Sequence, residues 1–206
     1  MANEALRTIL QRLHRVADLK GPGRPSDAEL LERFAVARDQ AAFEVLVWRH
    51  GPMVLDMCRR MLRHEYDAED AFQATFLTLV RKAGSIVRKE AVGSWLYKVA
   101  YRVALEANSR NAKRAARETA DVEALPAHPG QDPADRELHL ALAEEVNRLP
   151  DKYRVPLVLA YFNELTYDEI ARTLGLARNN VATLIFRGKQ QLRQKLQKEK
   201  RSGLSG

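Results

Sequence analysis

The sequence predicts an all-α protein: two small helical domains joined by a flexible acidic linker, the second domain containing a helix-turn-helix. Three observations carry that prediction. Apolar residues recur at helical spacing through nearly every segment, and no stretch alternates convincingly enough to read as a strand. No internal repeat of about 20–50 residues and no heptad array is present. Between Glu118 and Glu137 the apolar periodicity vanishes, Asp121, Glu123, Asp132 and Asp135 supply acid, and Pro126, Pro129 and Pro133 interrupt regular structure, which marks a linker.

Composition bounds the partners. A chain of 206 residues that is 46% apolar can bury one large or two small cores. Its net charge of +7 favours a polyanion, nucleic acid ahead of an anionic membrane. The longest apolar run, Val155 to Phe162, contains Pro156 and is far short of the roughly 20 residues that span a bilayer. The N-terminus alternates charge with apolar residues and shows no secretory core, so a cytoplasmic location and no membrane insertion are expected. The single Cys58 cannot form an internal disulfide, and without a Cys or His cluster no structural zinc, other metal or cofactor is expected. Cys58 lies in an apolar-periodic stretch and reads as buried.

In chain order, residues 1–25 read as an arm with helical spacing at Leu6, Ile9, Leu10, Leu13 and Val16, ending at GPGRP. Ser26 with Glu29 is a capping-box signature for a helix carrying Leu30, Leu31 and Phe34. Asp39 reads as the next N-cap, ahead of Phe43, Leu46 and Val47. Gly51-Pro52 should bend or restart that helix before Val54, Leu55, Cys58, Met61 and Leu62 continue the stripe. Asp67, Glu69 and Asp70 crowd the first turn of another helix, favoured there by unpaired backbone N–H groups. Asp67 is expected to cap it, Phe72, Phe76, Leu79 and Val80 to share its apolar face, and Gly84 to end it. After the basic connection SIVRKEAVG, a helix from about Ser94 should bury Trp95, Leu96, Val99 and Val103. Its other surface offers Tyr97, Lys98, Tyr101 and Arg102, followed by Arg110, Lys113, Arg114 and Arg117. Past the linker, Leu138, Leu142 and Val146 form one stripe, and LPDKYR restarts a helix with Val155, Leu157, Val158 and Phe162.

The last stretch, LTYDEIARTLGLARNNVATLIFRGKQQLRQKL, reads as a short helix from Thr166 to Leu174, a turn at Gly175 and a longer helix from about Arg178. The second helix carries Arg178, Asn179, Asn180, Thr183, Arg187 and Lys189, donor-rich side chains that suit base edges and phosphates. Gly188 within it costs about 1 kcal/mol relative to alanine, which points to close packing.

Taken together, the two halves resemble the extracytoplasmic-function group of bacterial RNA polymerase sigma factors. The stretch DQAAFEVLVWRHGPMVLDMCRRMLRHEYDAEDAFQATFLTLVRKAGSI with GSWLYKVAYRVALEANSR is similar to the family's region 2. The stretch LPDKYRVPLVLAYFNELTYDEIARTLGLARNNVATLIFRGKQQLRQKL is similar to region 4. On this resemblance the chain divides into an arm (1–25), a region 2-like domain (26–117), a linker (118–134), a region 4-like domain (135–198) and a tail (199–206).

The resemblance implies that Asp70, Gln73 and Phe76 dock on the clamp of core RNA polymerase. It implies that the Ser85–Gly93 connection, with Arg88 and Lys89, captures an unstacked base of the −10 element. Tyr97, Lys98, Tyr101 and Arg102 would then face the non-template strand, where base stacking is worth about 1–3 kcal/mol. The helix from about Arg178 would read the −35 element. Where many members have a Thr-Val-Lys-Ser-Arg core, this chain has Asn180, Val181, Ala182, Thr183 and Leu184, so the expected readers are Arg178, Asn179, Asn180, Thr183, Arg187 and Lys189. The acidic linker could mimic RNA in the polymerase cleft or serve as a solvated tether. The implied partners are core RNA polymerase and promoter DNA, with room for an anti-sigma factor, and the free chain is expected to be monomeric. No chemistry is expected of it. A DNA-binding regulator working without polymerase would leave the first domain idle, and a nuclease on Asp67, Glu69 and Asp70 lacks other convergent groups. A sigma-like interaction protein with weakened −35 recognition is the remaining alternative.

Overall fold

The computed structural model describes residues 25–117 and 133–203, with side chains described over 25–114 and 136–197. Among the described residues there are α-helices and two 3₁₀ turns and no strand. The expected arm, most of the linker and the last residues of the tail lie outside them.

Helix α1 (Asp27–Ala37) starts with the predicted capping box: Ser26 Oγ accepts from Glu29 N–H while the Glu29 carboxylate accepts from Ser26 N–H at 2.7 Å. It buries Leu30, Leu31 and Phe34. Helix α2 (Gln40–Met61) is capped by Asp39, whose carboxylate accepts from Ala41 N–H and Ala42 N–H. Contrary to the expected break, α2 runs through Pro52 as one helix. Val45 and Leu46 before the proline and Met53 and Val54 after it enter the same core. That shared burial, about 1.5–3 kcal/mol per large side chain, outweighs the lost hydrogen bond. Helix α3 (Glu65–Lys82) begins earlier than predicted, with His64 as its N-cap residue. Asp67 is not the cap; its carboxylate accepts from Asn111 Nδ2 at 2.8 Å and ties α3 to α4. Cys58 is fully buried, and burial pushes its thiol up to about 12, which leaves it unreactive at neutral pH.

The 3₁₀ turns Ala83–Ser85 and Lys89–Ala91 lead into α4 (Val92–Arg117). Helices α5 (Pro133–Arg148) and α6 (Asp151–Tyr161) follow. Arg154, 6% exposed, donates from Nη1 to the carbonyls of Asn147 and Leu149, satisfying the open C-terminal end of α5. Helices α7 (Tyr167–Leu174) and α8 (Arg178–Gly203) form the helix-turn-helix. Thr166 and Glu169 close a second capping box, and Gly175 takes the left-handed conformation at φ 64° that ends α7. Gly188 marks a close approach: a Cβ there would meet Leu157 Cδ1 at 3.3 Å and Tyr153 Cβ at 3.4 Å, so its helix cost admits the passage of α6 across α8.

The first four helices form one bundle around Leu46, Val54, Met61, Leu79 and Leu96. Ile170, Val181 and Ile185 centre the helix-turn-helix core with Val155 and Leu159. The two units touch. Val146, Leu149, Leu157 and Val158 join the first core, and Ala91 joins the second. Arg136 donates to the carbonyl of Met61 at 3.0 Å, capping α2 from α5.

Candidate nucleic-acid and polymerase interfaces

Three surfaces carry the predicted contact residues. The first lies along α3, where Tyr66, Asp70, Gln73 and Leu77 recur at helical spacing and are all exposed. Tyr66 and Leu77 are 78% and 55% exposed, so the face mixes apolar and polar groups as protein interfaces do. Phe76 does not belong to it. At 5% exposure it packs against Phe72, with ring centroids 5.0 Å apart, and against Phe43. Its position on α3 turns it inward, and the expected docking role is corrected to a core role. Beside this face, Asp67, Asp70, Ala74, Arg110 and Arg114 help line a groove of about 400 Å³ between α3 and α4.

The second surface is the connection before α4 and the face of α4 itself. Val87 stands 92% exposed at the tip of the connection. Arg88 pairs with Glu90 at 3.1 Å and Lys89 with Glu32 of α1; both cations are engaged in exposed pairs, which cost little to break. Arg102 is exposed, and Lys98 and Tyr101 are half-buried. Burial, with Arg154 and Arg102 nearby, lowers the Lys98 ammonium below its ordinary value. Burial, with Glu144 nearby, raises the Tyr101 hydroxyl. Tyr97 departs from expectation: it is 1% exposed, with its ring centroid 4.7 Å from that of Phe162, and burial raises its hydroxyl well above the usual range. Trp95, Val99 and Val103, expected in the core, are half-buried instead, while Leu96, Ala100 and Ala104 are fully buried. Helix α4 has bundle on one side and the second unit on the other, so an inward face and an outward face are both covered.

The third surface is α8. Val181, Ile185 and Gly188 face inward, and Asn179, Asn180, Thr183 and Arg187 are exposed on the opposite side. Thr183 Oγ1 donates to the Asn179 carbonyl at 2.9 Å, which leaves its methyl and its lone pairs to the outside. Arg178 and Lys189 flank this row: Arg178 pairs with Asp168 at 3.3 Å, and the Lys189 ammonium sits 4.5 Å from the Tyr161 ring centroid. Ala182 and Leu184 are half-buried. Two residues that were not predicted complete the row, Phe186 at 67% exposure and exposed Gln190. Counting three and four residues on from Asn179 reaches Thr183, Phe186 and Gln190, so helical spacing alone was enough to find them. An exposed aromatic on a helix of this kind suits a thymine methyl.

Among the described residues no group of three or more His, Cys, Asp or Glu could hold a metal ion, and no helix is long and apolar enough to cross a membrane.

Known proteins share this arrangement of motifs. The family model for sigma-70 region 2 matches residues 46–114, and that for sigma-70 region 4 matches residues 139–192. The chain is 34% identical over 168 residues to the ECF RNA polymerase sigma factor SigM of Mycobacterium tuberculosis (strain ATCC 25618 / H37Rv), a match covering 81% of this chain and 83% of that protein. It is 31% identical over 168 residues to the RNA polymerase sigma factor CarQ of Myxococcus xanthus, covering 81% and 95%. It is 29% identical over 169 residues to the ECF RNA polymerase sigma factor SigW of Bacillus subtilis (strain 168), covering 77% and 90%. With two regions in family order and relatives matched over most of their length, the chain belongs to the extracytoplasmic-function RNA polymerase sigma factors.

Proposed function

We propose that this sigma factor, which directs core RNA polymerase to promoters and supports initiation, divides the work among its three surfaces. The Asp70–Gln73 face of α3 docks on the polymerase clamp, with Tyr66 and Leu77 at its edges. The Ser85–Gly93 connection and Tyr97, Lys98, Tyr101 and Arg102 of α4 hold the melted −10 strand, by stacking and by phosphate contacts. Helix α8 enters the major groove of the −35 element and reads it through Asn179, Asn180, Thr183, Phe186 and Arg187, while Arg178 and Lys189 grip phosphates at its margins. The protein performs no chemistry; nucleotide addition stays with the polymerase, and the cytoplasm is its place of action.

The observation that carries this reading is the row of exposed donors on α8 opposite buried Val181 and Ile185, in a chain whose first unit presents a separate exposed face on α3. Replacing Asn180 by Ala should change preference at one −35 base pair by about 1–3 kcal/mol. Replacing Lys98 and Arg102 by Ala should lower affinity for all sequences alike and flatten the salt dependence. Binding titrations of the holoenzyme against a promoter library, at two salt concentrations, measure both. An Asn180→Ala variant that weakens every sequence equally would remove Asn180 from the set of readers.

A further inference from the structure

The turn after α6 plugs into a socket on the first unit. Phe162 lays its ring on Tyr97. Asn163 Nδ2 donates to His50 Nδ1 at 2.8 Å, and His50 Nε2 donates to Asp27 at 2.8 Å. Gly93 makes the room: a Cβ there would lie 2.7 Å from Asn163 Oδ1 and 3.0 Å from His50 Cε1. His50 and Tyr97 are each 1% exposed, so the socket is filled.

The geometry points to an autoinhibitory clasp: in the free chain Phe162 occupies the ring of Tyr97 that a base of the melted strand would need, and the Phe162–Asn163 turn must leave before the −10 strand can bind. The inference rests on the assignment of Tyr97 to the strand. Three features make the clasp releasable. Closing it leaves Asn163 Oδ1, and Ser94 Oγ beside Gly93, buried with no hydrogen-bond partner, groups that water would satisfy on opening. It brings Arg154 close enough to Lys98 to disfavour the ammonium, a like-charge contact that opening relieves. Neither the α3 docking face nor the outer row of α8 is covered, so polymerase and −35 DNA can engage the closed chain and pull the two units apart. A base and a phenyl ring compete for the same apolar ring face, which makes masking and strand binding mutually exclusive.

The test uses the full chain labelled with a dye pair at Val36→Cys and Gln194→Cys, both exposed positions in separate units; buried Cys58 does not compete for label. Energy transfer reports the distance between the units, and a labelled single-stranded DNA oligonucleotide of mixed sequence reports strand binding. Expected is a short distance in the free chain that lengthens when core polymerase is added. The Phe162→Ala, Asn163→Ala variant should be open without polymerase and bind the oligonucleotide at least about tenfold more tightly, and adding Tyr97→Leu should abolish that gain. Asn163→Ala alone, which removes only the polar tie, should move both readouts the same way by less, and circular dichroism confirms that each variant is folded. A free wild-type chain already as open as the double variant overturns the clasp. An open variant with no gain in strand binding overturns the masking. If Tyr97→Leu holoenzyme also forms normal open complexes, the error lies in giving Tyr97 to the strand.

Discussion

Core RNA polymerase should bind the Asp70→Ala, Gln73→Ala double variant at least about thirtyfold more weakly than the parent chain, while the melting temperature stays within a degree or so. Both side chains stand exposed on α3, outside the core that Ala68, Ala71, Thr75, Phe76 and Leu79 build from the same helix, so their removal costs little folding energy. A central interface residue is worth about 2 kcal/mol or more, and thirtyfold corresponds to about 2 kcal/mol. Fluorescence titration against core polymerase, paired with thermal unfolding, separates the two quantities. Equal affinity in a folded variant would place the docking face elsewhere, with the groove beside Arg110 and Arg114 the next surface to examine.

The second large effect concerns the start of the fold. Asp27, at the first turn of α1, accepts from His50 Nε2 at 2.8 Å and pairs with Arg49, which also donates to the carbonyl of Pro25 at 3.2 Å. Its side chain is 11% exposed and that of Arg49 25%. Burial alone would raise the carboxyl, but His50 and Arg49 outweigh it and hold the group below its ordinary value of 3.8. A carboxylate lowered by folding contributes stability that is complete above its unfolded value and is lost as the pH falls through the folded one. Acid unfolding should therefore draw on this site below about pH 4. Replacing Asp27 by Asn should cost about 2–3 kcal/mol at neutral pH, less than a fully buried pair because Arg49 reaches solvent. That is a fall in melting temperature of order 10 °C. The variant should also lose part of the acid dependence of the parent. Denaturant titrations at neutral and acidic pH read both, and an unchanged midpoint at neutral pH would show that the network contributes nothing net. Because His50 also receives Asn163, the same substitution should loosen the socket on the first unit.

Local signals were legible wherever one residue type dictates one conformation. The pairs Ser26 with Glu29 and Thr166 with Glu169 placed two helix starts, Asp39 placed a third, and Gly175 placed the turn of the helix-turn-helix. What sequence could not resolve was contact between distant segments. Tyr97 reads as a free face of an amphipathic helix because periodicity registers only the strongest apolar stripe, whereas Phe162 from the second unit covers the other. Phe76 was drawn outward by the motif around it, and its packing on Phe43 and Phe72 shows which way it turns. Pro52 looked like a break because the local cost of proline is plain in sequence and the burial on both sides of it is not. Phe186 was passed over for the opposite reason: attention to hydrogen-bond donors hid an apolar residue on the reading face.

The central claim is that one chain couples polymerase docking to promoter reading, and reconstituted initiation tests it most directly. Purified chain, core RNA polymerase and a genomic promoter library, with competitor-resistant open complexes recovered and sequenced, should yield a defined set of promoters sharing −35 and −10 elements, and transcripts starting downstream of them. Stable complex formation with active core polymerase but no enrichment of any promoter set, or no complex at all, would contradict the account.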